Sequence, residues 1–198
     1  MPKISSHCHG TTPEPNAHLA ASATGAMPSG DALISALIDA ASALCESVPR
    51  LAECRVLAYR DSLPPGLIGS YVPVLGSDTS IHVGILSDVC SCDALAWLTD
   101  GVGVRSELGT RTALSELAQR LAWGLARRTN PGAPLAVGAP VFVDGIARRT
   151  RSACVRAVEV VFGVTRATLV VIGSEALIQS DWPGMDKRVR SRPERERV

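Results

Sequence analysis

Apolar residues recur along this chain with two alternating periods, and the switches between them mark the elements. Asp31 is a plausible cap for a helix carrying Leu33, Leu37, Ile38, Ala41 and Leu44 on one face. It ends near Val48, because Pro49 disfavours helical geometry in the residue before it. Strands are expected over 55–59, 69–75 and 80–86, separated by Pro64-Pro65-Gly66 and Gly76-Ser77-Asp78. In the third, Ile81, Val83 and Ile85 alternate with His82 and Gly84, the pattern of a half-buried strand. Asp88 opens a short helix through Ala94, Leu95 and Leu98, which Gly101 and Gly103 stop. A long helix over 106–129 ends at Asn130-Pro131-Gly132, and strands follow over 135–143, 155–162 and 166–172. Gly163-Val164-Thr165 closes the last pair as a hairpin.

The order is a helix and three strands, a short helix, then a helix and three strands. This predicts an α+β domain: a six-stranded, mostly antiparallel sheet with two long helices and one short helix packed on it. No residue identity links the two halves, so a duplication is legible only in the element order. Three segments are expected: a disordered N-terminal tail over 1–30, the domain over 31–175 and a polar, basic tail over 176–198. The first tail is rich in Ser, Thr, Pro, Ala and Gly, and cannot bury enough apolar surface to offset its ordering entropy.

The long helix carries the most informative stretch, SELAQRLAWGLARR. At about 100° per residue, Leu114, Leu117, Ala118, Leu121 and Leu125 form one apolar stripe. Glu116, Gln119, Arg120, Trp123 and Arg127 fall together on the opposite face. A carboxylate and a carboxamide three residues apart are neighbours on a helix surface. With a tryptophan one turn further on, this face is built to meet a partner.

Composition narrows the alternatives. The 198 residues are 46% hydrophobic with a formal charge of +1, so bulk attraction to nucleic acid or to a membrane surface is not expected. No 18-residue apolar run is present, and no secretory leader is visible before Ser29. The six cysteines, Cys8, Cys45, Cys54, Cys90, Cys92 and Cys154, are scattered and read as reduced thiols of a cytoplasmic protein. His7-Cys8-His9 lacks a second ligand cluster, so no metal site is expected. Cys90-x-Cys92 is not a CxxC motif, and no histidine is placed to serve Ser115 as a base.

The ordered combination of the Gly-Ser-Asp turn, IHVGILSD, CDALAWLTDGV, SELAQRLAWGLA and VRAVEVVFGVTRATLVVIG resembles the CheX branch of the CheC/CheX/FliY chemotaxis phosphatases. The likeness spans about residues 31–173. It implies a phosphatase-type regulator that promotes hydrolysis of the aspartyl phosphate on a CheY-like receiver domain in two-component signalling. The implied partner is that phosphorylated receiver, which carries its own Mg2+; no cofactor is expected on this chain. A homodimer paired through sheet edges is also implied. Family members carry Glu-x-x-Asn on the long helix. By position Glu116 matches the acid that engages a receiver lysine, and Gln119 stands where the water-orienting asparagine would be. Arg120, Trp123 and Arg127 would then contact the partner.

Two departures matter: glutamine in place of asparagine, and Trp123-Gly124 where members often have a Gly-Asn pair. The first helix shows no acid–amide pair, which favours the single-site CheX branch over CheC. A glutamine places the same head group on a stem one methylene longer, as in the unrelated helical phosphatase CheZ, which also uses an acid and a glutamine. The alternative reading is a CheX-like binding or adaptor protein without catalysis, in which Trp123 anchors a receiver or a second copy, or blocks close approach.

Overall fold

Helix α1, Gly30–Ser47, buries Leu33, Leu37, Ala41 and Leu44, as a 3.6-residue period requires. Its cap is Ser29 rather than Asp31. The Ser29 backbone is extended, and its Oγ accepts from the Ala32 N–H at 3.4 Å. Asp31 sits in the first turn, where a negative charge faces the positive end of the helix dipole. Pro49 opens a single 3-10 turn, Pro49–Leu51, that buries Leu51 completely.

The structure, a computed structural model, describes residues 29–60, 62–76, 80–100, 106–129, 135–144 and 153–174. The remainder of the two expected tails, His7-Cys8-His9 and the glycines at 101 and 103 lie outside these residues.

The strands are β1 (Cys54–Arg60), β2 (Ile68–Leu75), β3 (Ser80–Ser87), β4 (Ala136–Val137), β5 (Val141–Asp144), β6 (Ala153–Phe162) and β7 (Thr165–Ser174). They form one antiparallel sheet in the order β1-β6-β7-β3-β2-β4, with β5 also on β2. The strand expected over 135–143 is thus two strands, which raises the count to seven. Val137 pairs with Val74 and Val141 with Tyr71, so residues 138–140 oppose only Val72 and Pro73. Pro140 has no N–H for the ladder and Gly138 donates to the Pro73 carbonyl at 2.8 Å, so the strand bulges between its two paired ends.

Taking β4 and β5 as one interrupted strand, the sheet order is unchanged when the two halves are exchanged and read from the other edge. The two halves suspected from element order are therefore related by a pseudo-twofold in the sheet order. Helix α2, Val89–Asp100, links the halves. Helix α3, Glu107–Thr129, lies beside α1. A Cβ on Gly124 would stand 2.8 Å from that of Ala40, so glycine sets this close approach.

All three helices cover one sheet face. There Leu114, Leu117, Leu121 and Leu125 of α3 meet Val72, Ile85, Val160 and Val171 in the main core. The other face carries a smaller cluster of Tyr71, Leu86, Val155, Ala157 and Val170, with Leu63 and Leu67 packed against it. Gly84 makes room there for the Tyr71 ring, whose nearest carbon would lie 2.4 Å from an added Cβ. The β6–β7 connection is a two-residue turn. Phe162 pairs with Thr165, and Gly163 takes φ 62° at the first central position. No helix among the described residues is long and apolar enough to cross a membrane.

Asp88 caps α2 as expected. Its carboxylate accepts from the Ser91 N–H at 2.9 Å and the Ser91 hydroxyl at 2.7 Å. Those bonds, the backbone one first, hold the Asp88 carboxyl below the usual aspartate range. A lowered folded value contributes stability above the unfolded pKa and loses it as pH falls through the folded value. Asp88→Ala is expected to cost about 1 kcal/mol in urea unfolding at pH 7. The gap to wild type should shrink as pH drops below about 4; a gap unchanged at pH 3 would refute the charged cap.

Candidate functional site on helix α3

The leucine stripe fixes what α3 shows to solvent. With Leu117, Ala118, Leu121 and Ala122 buried, the exposed residues between Glu116 and Arg127 are Glu116, Arg120, Trp123 and Arg127, and Gln119 is half-buried beside them. The structure therefore brings all five sequence-predicted residues to one face. Trp123 is 43% exposed, a large apolar surface in water.

Glu116 and Gln119 line one wall of a shallow groove of about 350 Å³, together with Arg111, Thr112, Ser115 and Pro140. Neighbours three apart on a helix have Cβ atoms about 5–6 Å from each other, so both head groups reach the same space. The Glu116 carboxylate accepts a short hydrogen bond from the Arg120 guanidinium, one turn on. Both side chains are about half exposed, and such a pair is worth roughly 0.3–0.5 kcal/mol, so an incoming cation can compete for the acid. Among the described residues no hydrogen bond engages the Gln119 carboxamide. Its oxygen can accept and its nitrogen donate.

Four residues of this groove were not predicted as part of it: Arg111, Thr112, Ser115 and Pro140. Thr112 and Ser115 are one turn and one residue before Glu116, and the helical period alone could have found them. Pro140 comes from the bulged β4–β5 connection, a contact no local pattern announces. Ser115 is held rather than free: its hydroxyl bonds that of the fully buried Ser70 on β2 at 2.8 Å, which pins α3 to the sheet.

Other candidates fall away. Burial pushes the Cys54 and Cys92 thiols up to about 12 and raises that of Cys45, so these groups stay protonated and inert. Cys45, Cys54, Cys90, Cys92 and Cys154 are free thiols. Among the described residues no cluster of three or more His, Cys, Asp or Glu could hold a metal ion. His82 is exposed on the sheet face away from the helices.

No protein-family model matches the chain, and no curated protein matches it. Solved structures do match, at low identity. A CheC-like superfamily protein from Shewanella sp. PV-4 is 13% identical, with a TM-score of 0.60 over 72% of this chain and 97% of that one. The chemotaxis protein CheX from Vibrio vulnificus is 14% identical, with a TM-score of 0.55 over 73% and 97%. The CheX of a CheX–CheY–BeF3–Mg2+ complex from Borrelia burgdorferi is 16% identical, with a TM-score of 0.54 over 71% and 96%. Sheet order, helix placement and these likenesses agree: the chain has the CheX/CheC-type fold.

Proposed function

We propose that the outward face of α3 docks a phosphorylated CheY-like receiver domain and promotes hydrolysis of its aspartyl phosphate. The observation that carries this reading is the pair itself. An acid paired only to Arg120 and an amide with no hydrogen bond among the described residues stand side by side, facing one open groove, on the long helix of a CheX/CheC-type fold. A CheX of the same fold is known in complex with CheY, which makes a receiver the natural partner to test first.

In this scheme a receiver lysine takes the Glu116 carboxylate, displacing or sharing the Arg120 contact. The Gln119 oxygen accepts from a water and its nitrogen donates to a phosphoryl oxygen. That water attacks phosphorus in line, the bond to the aspartyl oxygen breaks, and the products are inorganic phosphate and the receiver's free carboxylate. Mg2+ on the receiver and the acyl phosphate's own reactivity carry the rest, so this chain supplies positioning and charge. A hundredfold acceleration needs only about 2.7 kcal/mol of barrier lowering. Arg120, Trp123 and Arg127 would form the contact surface around the pair. Receiver phosphorylation is cytoplasmic chemistry, and this reading places the protein there. Two copies paired along the β1 edge, where Leu57 and Tyr59 are exposed, would leave the α3 face open.

A second reading is favoured by Trp123. A 43% exposed indole one turn from Gln119 suits an anchor for a bound surface. On that reading the chain binds a receiver without hydrolysing its phosphate. Phosphate release from a phosphorylated receiver, with wild type and Gln119→Ala, separates the two. The phosphatase reading expects acceleration by wild type and a loss of about tenfold to a thousandfold in the variant, the scale of removing one positioned polar group. Binding without acceleration by wild type supports the adaptor; equal acceleration by both proteins removes Gln119 from the chemistry.

A further inference from the structure

A second and larger groove lies on the other side of Arg111, between α2, the start of α3 and β5. Its volume is about 840 Å³, within the range of ligand clefts. Val89, Asp93 and Trp97 follow one another every four residues along α2 and all line it, so one stripe of this helix faces the groove. Ile68 and Ala94 add apolar lining, and Trp97 is 53% exposed on the wall.

The charges in the groove do not balance. Among the described lining residues, Asp93, Glu107 and Asp144 face a single cation, Arg111. That cation is already committed. Its guanidinium bonds Glu107 at 2.5 Å and lies 4.8 Å over the Phe142 ring. Glu107 is thereby neutralised, while Asp93 and Asp144 have no ion pair among the described residues. Asp93 is also held in place, because its Oδ1 accepts from the buried Thr110 hydroxyl at 2.8 Å. Among the described residues the groove is thus an apolar trough with an exposed indole and two carboxylates outside any ion pair.

We propose that this groove docks a segment of a protein partner that presents an arginine flanked by apolar residues. A guanidinium is planar, stacks on an indole face and can give paired hydrogen bonds to a carboxylate, so Trp97 with Asp93 or Asp144 suits it better than a compact ammonium. The volume far exceeds what one guanidinium fills, and the apolar lining needs neighbouring side chains to cover it. Both points favour a chain segment over a small cation. The site is separate from the Glu116–Gln119 pair, so this inference stands whether or not that pair is catalytic.

The test follows the Trp97 indole N–H by NMR in the full chain, titrated with the peptide acetyl-Leu-Ala-Arg-Leu-amide. The resonance is assigned with Trp97→Phe. A saturable shift is expected, weakened at least tenfold when citrulline replaces arginine and at least tenfold by Asp93→Asn. Asparagine keeps an oxygen for Thr110; should Asp93→Asn nevertheless not fold, Asp144→Asn on exposed β5 is expected to weaken binding in the same direction. No saturable shift, or equal binding of the citrulline peptide, would overturn the proposal. Ethylguanidinium binding as tightly as the peptide would overturn it too, since the groove would then be a small-cation site.

Discussion

Replacing Gly69 by alanine is expected to abolish the cooperative unfolding transition of the domain or to lower its stability by about 3 kcal/mol or more. Gly69 pairs with Leu86 near the start of β2. An added Cβ would lie 2.0 Å from the Ile85 carbonyl oxygen and 2.9 Å from the Leu86 Cα. Both are backbone atoms of β3, which is itself hydrogen-bonded to β7 on its other side. No rotamer change relieves the contact, so the β2–β3 ladder must open. Against a total stability of about 5–15 kcal/mol, such a loss is close to unfolding. The damage would also reach the candidate site, because the next residue, Ser70, holds Ser115 of α3. Gly66 supplies the contrast. It has φ 76° and nothing within 4 Å of an added Cβ, so Gly66→Ala carries only the left-handed backbone cost of about 1–2 kcal/mol. Urea unfolding of both variants checks the pair; a Gly69→Ala protein within 1 kcal/mol of wild type would show that β2 and β3 can separate without harm.

Periodicity carried the elements whose environment is one-sided. The α3 stripe is buried from Leu114 to Leu125 because a helix on one sheet face has a single apolar direction. Periodicity was less informative where the environment is two-sided. In β3 the expected alternation holds for Ile81, Val83 and Ile85, yet Gly84 and Leu86 are buried as well, because Tyr71 and its neighbours cover the second face. From sequence, 135–143 is expected as one strand; Gly138 and Pro140 lie inside that apolar run, but the break they make depends on the register against Pro73, which is non-local. From sequence the cap is expected at Asp31, and the structure puts it at Ser29; both precede the first buried leucine, and only backbone geometry separates them. The same division holds for the sites. Glu116 and Gln119 belong to one helix, so spacing alone aligns them. Pro140 in their groove, and Phe142 and Asp144 in the second, arrive from a distant strand and leave no local trace.

Glu116→Lys is expected to weaken binding of a phosphorylated receiver by at least about a hundredfold, and to remove receiver-dependent phosphate release with it. Close charge pairs across an interface couple by roughly 1.5–7 kcal/mol, and a hundredfold is about 2.7 kcal/mol. The substitution does more than delete a pair, since on the proposed reading it sets two cations against each other where a receiver lysine would dock. The fold should tolerate it. Glu116 is exposed, its pairing with Arg120 is worth a few tenths of a kcal/mol, and a like-charge pair at that spacing costs about as much again. Urea unfolding within about 1 kcal/mol of wild type is therefore the control that separates lost docking from lost structure. Gln119→Ala differs in kind. It removes no charge and should keep most of the binding while losing the rate, so the two variants split grip from water placement. A receiver whose lysine is changed to glutamate should regain affinity for Glu116→Lys but not turnover, because that lysine also serves the phosphoryl group. If Glu116→Lys binds and accelerates like wild type, the receiver docks elsewhere and the acid has no part in gripping it.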